Sequence, residues 1–189
     1  MPRVRATGVL FVLVVCAALT ASSTTRAEPA ARDTSADAWV TQICTAVGTW
    51  QRRVTTRSAA MGHLNATSVP QLHDALVNFL AGVVRDTSTL IGQTDHAGTP
   101  AVTHGAEIAS GVHSGFVKVR TYFTQDLARA KRLSTTDAKS FGEGATAIGA
   151  SISKQAELIE KSFNDLDGKY RSAELERALN RSPACAGLR

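Results

Sequence analysis

Apolar residues recur along this chain at the spacing of helices, in four successive stripes. Val40, Ile43, Val47, Trp50, Val54 and Met61 are separated by three, four or seven positions, which places them on one face of a helix over 36–62. Ser35 or Thr34 can cap its start. Leu72, Leu76, Phe79, Leu80, Val83, Thr87 and Leu90 continue the period and predict a helix over 69–92, with Pro70 in the first turn, where its missing N–H is harmless. A longer connection, 93–102, follows and contains the helix breakers Gly98 and Pro100. Ile108, Val112, Phe116, Val119, Phe123, Leu127 and Ala130 mark a third helix over 103–132. Phe141, Ala145, Ile148, Ile152, Ala156, Ile159, Phe163 and Leu166 mark a fourth over 137–168, with Ser134–Thr136 as turn and N-cap and Gly168 as terminator. Ser172 can cap a short fifth helix over 173–180 that ends before Pro183.

No stretch alternates with period two over strand length, so the predicted class is all-α. The short connections after the first and third helices make those neighbours antiparallel, giving an up-down four-helix bundle with a short C-terminal helix. Small residues fill the first half of the third helix (Gly105, Ala106, Ala109, Gly111, Gly115) and the first half of the fourth (Gly142, Gly144, Ala145, Gly149). The second halves carry Phe123 and Leu127, and Leu158, Ile159, Phe163 and Leu166. An antiparallel hairpin then sets small against large at both ends, as interdigitated packing requires.

Ahead of the helices the chain has a different character. Arg3 and Arg5 precede the uncharged run Val9–Ala21, and Thr25-Arg26-Ala27 places small residues where a signal peptidase needs them. The run covers about 13 residues, against roughly 20 for a membrane span. We therefore read 1–27 as a signal peptide cleaved after Ala27, with Ser23 as the alternative, 28–34 as a disordered leader and 35–189 as a single helical domain. A lipid anchor on Cys16 is disfavoured, because bulky Val15 precedes it and apolar residues follow it. Three of the 21 basic residues leave with the signal, whereas all 16 acidic ones stay. The mature chain, with 18 basic residues against 16 acidic, is thus nearly neutral at +2. That argues against nucleic acid as a partner. The small clusters Arg52, Arg53, Arg57 and Arg129, Lys131, Arg132 read as solvated helix surface.

Cys44 and Cys185 remain after processing, and an even pair in an exported chain predicts a disulfide. In an up-down bundle the fourth helix ends at the level where the first begins, so a short fold-back brings Cys185 beside Cys44 and closes the bundle.

Catalytic and metal signatures are not found. The five histidines are scattered: His63 and His73 flank one turn, His96 and His104 flank the opposite one, and His113 lies on another face of the third helix. None has a zinc-motif partner at the required spacing. Asp74 follows His73 directly, and side chains at adjacent positions of a helix are expected to point apart. Di-iron, haem-attachment, phosphate-loop and nucleophile-elbow patterns are missing as well. The expectation is a non-enzymatic protein without cofactor or metal. Gly111 and Gly115, at i and i+4, together with Gly142 and Gly149, are the candidate lining of a ligand groove, against close helix packing as the alternative.

Several segments carry a likeness. Ile43-Cys44-Thr45-Ala46 with Trp50, the loop Gly98-Thr99-Pro100-Ala101-Val102 with Gly105 and Ile108, and the tail Glu174–Leu179 running to Ser182-Pro183-Ala184-Cys185 resemble an uncharacterised family of small exported or lipid-anchored helical proteins of actinobacteria. The resemblance implies an envelope or extracellular address and the disulfide, and it carries over no catalytic residue. The functional expectation is a module that binds an envelope or extracellular protein; the alternative is a carrier of an apolar small molecule between the bundle helices.

Overall fold

A computed structural model of the chain describes residues 33–188. The segment 1–27 read as a signal peptide, with Cys16, and most of the expected leader lie outside the described residues. Five α-helices follow the predicted stripes: α1 (Ala36–Gly62), α2 (Val69–His96), α3 (Gly105–Ala130), α4 (Ala138–Lys169) and α5 (Ala173–Arg181), with a terminal 3-10 turn at Pro183–Leu188. The class is all-α, an up-down four-helix bundle with a short C-terminal helix.

The caps explain the helix starts. The Ser35 hydroxyl accepts from the Ala38 N–H, Ser68 from Gln71 and Ser172 from Leu175, each satisfying a first-turn donor. Pro70 lies in the first turn of α2. Two local expectations are corrected. The cap of α4 is Asp137, whose carboxylate accepts from the N–H groups of Lys139 and Ser140, while Ser134 braces the turn before it. A carboxylate answers the dipole of a long helix with charge as well as a lone pair. Gly168 does not end α4, which runs through it to Lys169.

The connection after α2 is tighter than expected. α2 continues to His96, beyond the predicted end at 92, and buries Thr94 on its extra turn. Gly98 then turns the chain at φ 71°, a conformation that costs glycine little. Asp33–Thr34 (β1) pairs in parallel with Thr99–Pro100 (β2), so the last two residues of the expected disordered leader are ordered. Thr34 Oγ1 donates to the Ala97 carbonyl at 2.9 Å, and the Ala101 N–H donates to the Thr34 carbonyl at 2.8 Å. Two residues per strand fall below any periodic signal, and these pairings are long-range. Gly105 lets α3 start directly against the Pro100 carbonyl, where a Cβ would collide with backbone.

The core changes along the bundle axis. At the end holding the start of α1 and the 3-10 turn, here the tail end, Trp39, Val40 and Cys44 of α1 meet Ile108 of α3, Leu175 and Ala178 of α5, and Cys185. In the middle, Ala46, Leu90, Ile91, Phe116 and Val119 pack together. At the opposite, turn end, Leu80, Ala130 and Ile148 close a core of α2, α3 and α4 that draws nothing from α1. There α1 is attached to α2 through charge: Arg57 Nε lies 2.6 Å from Asp86 Oδ2, with Arg53 at 3.6 Å.

Candidate functional site

The disulfide forms as expected. Cys44 and Cys185 are bonded, with Cα atoms 5.1 Å apart across a sequence separation of 141 residues. Further links fasten the tail to α1: Arg181 pairs with Asp37 at 2.7 Å, and the Thr41 and Ser182 hydroxyls are 3.2 Å apart. α5 and the 3-10 turn therefore lie on α1.

Among the described residues, α1 packs on α2 and α4 on α3, but α1 and α4 make at most marginal backbone contact. The bundle has an open seam between its first and last helices. At the tail end this seam holds a cavity of about 400 Å³. Its walls come from the apolar stripes. α1 supplies Trp39, Val40, Ile43, Cys44 and Val47. Ile108, Val112 and Phe116, at i, i+4 and i+8 of α3, face them, and Phe163, Leu166 and Tyr170 come from α4. Leu175 and Leu179, one turn apart on α5, complete the lining. The cavity is within the size range of small-molecule pockets and shares their make-up, with mainly apolar walls and few polar groups.

Those polar groups, Asp167, Ser172 and Glu176, all come from the α4–α5 junction. The Ser172 hydroxyl is engaged as the α5 cap. Glu176 accepts from Arg171 Nε at 2.7 Å. The guanidinium of Arg171 is held above its ordinary value, first by that hydrogen bond, then by the charges of Glu176 and Asp167. On the opposite wall the Trp39 indole N–H donates to the Gly98 carbonyl at 3.0 Å, which ties the ring to the α2–β2 turn.

The four glycines proposed as a groove do not gather. At Gly111 and Gly115 a Cβ would run into Leu166 and Phe163, so these two positions let α4 lie close on α3. They border a shallow cleft of about 260 Å³ on the α3–α4 seam, alongside Lys118, Asp165 and Lys169. Gly142 and Gly149 are exposed with nothing nearby, towards the other end of α4. The link between glycines and cavity is indirect: Leu166 and Phe163, which fill the space over Gly111 and Gly115, also line the cavity.

The histidines are held individually. His113 Nδ1 lies 2.6 Å from Asp95 Oδ1, across α2 and α3. His73 and Asp74, expected to point apart, touch at 3.3 Å. His104, with φ 61°, precedes α3 and stands 5.4 Å from the Tyr170 ring. Among the described residues no three His, Cys, Asp or Glu side chains are grouped as metal ligands.

The cavity residues of α4 and α5 were missed at the sequence level, although Leu175 and Leu179 are an i, i+4 pair in an otherwise polar helix, which signals a docked face. No known protein family, curated protein or solved structure matches this chain.

Proposed function

We propose that this is an exported, non-enzymatic binding protein of the cell envelope or extracellular space that holds an apolar small molecule in the tail-end cavity. The carrying observation is the 400 Å³ apolar cavity in the open α1–α4 seam. A ligand there removes from water the apolar surface that a closed bundle would bury between its own helices. This favours the carrier over docking of a protein on a helix face, because the apolar surface of this seam is concave and lined from four helices. The export reading rests on the charged, apolar and small-residue sequence of 1–27 and on a disulfide, which persists in oxidising compartments. No helix of the described residues is long and apolar enough to cross a membrane. Membership of an actinobacterial family of exported helical proteins belongs to the same reading and rests on the sequence segments alone.

The test is uptake of a neutral apolar dye, N-phenyl-1-naphthylamine, by the purified exported form. Saturable fluorescence enhancement is expected, and it should vanish in Val112→Phe, which places a ring in the cavity. The absence of saturable uptake by the unmodified protein, or undiminished uptake by the variant with its helicity intact, would overturn the carrier.

A further inference from the structure

We infer that the cavity selects single-chain amphiphiles with a cationic head, so that a long-chain ammonium compound is preferred to a fatty acid of the same chain length. The inference rests on the carrier reading and deepens it. Its basis is the distribution of polar groups over an apolar cavity. Among the described residues no lysine or arginine lines it, whereas two carboxylates, Asp167 and Glu176, do. Both belong to the α4–α5 junction, so the apolar walls of α1 and α3 are left for the chain and one side alone for a head.

The neighbouring cations do not reverse this asymmetry. Arg171 is engaged by Glu176 at 2.7 Å. Lys169 Nζ stands 4.9 Å from the Tyr170 ring centroid and borders the shallow α3–α4 cleft. Lys161 is paired with Asp165 at 2.8 Å. Asp167 is exposed and, among the described residues, attracts Arg171 at longer range without a contact pair, so it can face an incoming charge. A fatty-acid carboxylate would meet like charge there. The preference is moderate, because water reaches the site and screens it.

The experiment titrates the disulfide-bonded protein, at neutral pH and below micelle formation, with dodecyltrimethylammonium, dodecanol and dodecanoate, each displacing the naphthylamine dye. The order expected is ammonium tightest and carboxylate weakest, about tenfold apart. In Asp167→Asn, and further in Asp167→Asn/Glu176→Gln, that ratio should shrink toward one while dodecanol affinity is retained. Asp167→Asn alone keeps the Arg171–Glu176 pair, so a folding defect in the double variant leaves the test intact. Equal affinities for the three ligands, or a head-group order unchanged in Asp167→Asn, would overturn the cationic preference and leave the apolar cavity standing. Failure of dodecanol and dye to bind at all would instead remove the carrier reading on which the preference rests.

Discussion

At the tail end of the bundle, α1 and α4 stand apart around a cavity, and the chain is secured by a disulfide, an ion pair and a two-stranded clip. At the turn end, α2, α3 and α4 close directly on Leu80, Ala130 and Ile148, without a covalent tie. The two regions are made from the same helices, so the difference lies in how each replaces missing contacts. Where side chains fill the space, dispersion and hydrophobic burial suffice. Where space is left open, cross-links hold the walls in place. A cavity is tolerated at the end where other interactions secure the helices around it.

The largest break in this comparison should come from the disulfide. Replacing both Cys44 and Cys185 by Ser removes a loop closure worth up to about 5 kcal/mol in the chain-entropy model. The protein should stay helical by circular dichroism. Hydrogen exchange should accelerate around α5, the 3-10 turn and the start of α1, with the turn-end core much less affected. Uniform acceleration would mean that the two ends share one cooperative unit. Truncating the other end comes next. Leu80 is fully buried, and Leu80→Ala should cost about 3 kcal/mol in chemical denaturation. The dye site should survive it, since the disulfide and α5 lie at the far end.

A matched insertion sharpens the contrast. Ile148→Phe pushes extra volume into a filled core and should cost roughly 1–3 kcal/mol. Val112→Phe inserts a ring beside open space and should change stability by less than about 1 kcal/mol while abolishing uptake. Equal penalties would show that the cavity is already closed in solution. The smallest effect concerns the cap of α4. Backbone hydrogen bonds from Ser140 and Lys139, together with the Ser140 hydroxyl, hold the Asp137 carboxylate below its ordinary value of 3.8. Its ionised form therefore adds stability above that value, and the gain is lost as pH falls through the lowered folded-state value. Asp137→Asn keeps the acceptor but not the charge, so its thermal stability should fall less steeply on acidification. An identical acid limb would assign the acid sensitivity to other carboxylates.

Much of this molecule was legible in the chain. Periods of three and four residues located the helices, because a helix with one buried face must repeat its apolar residues at that interval. Ser35 and Ser172 marked starts because an N-cap needs an oxygen within reach of the next N–H groups, whereas the Ser68 cap of α2 became visible with the structure. The alternation of up and down helices put Cys185 at the level of Cys44, and the bond is there. Asp137 superseded the Ser–Thr run as a cap, and Gly168 was carried through as helix, since several residues in each turn were competent and local preference alone could not choose among them.

The cavity was decided by the tertiary structure. A stripe states that a face is buried but not what buries it. Ile43, Val112, Phe163 and Leu166 read as ordinary core positions until α1 and α4 are seen to stand apart with α5 over the seam. The pairing of Asp33–Thr34 with Thr99–Pro100 and the gathering of Asp167 and Glu176 at one side of the cavity are likewise long-range meetings. Local sequence determines the faces of helices through backbone geometry, whereas the distance between two faces depends on the packing of every helix at once.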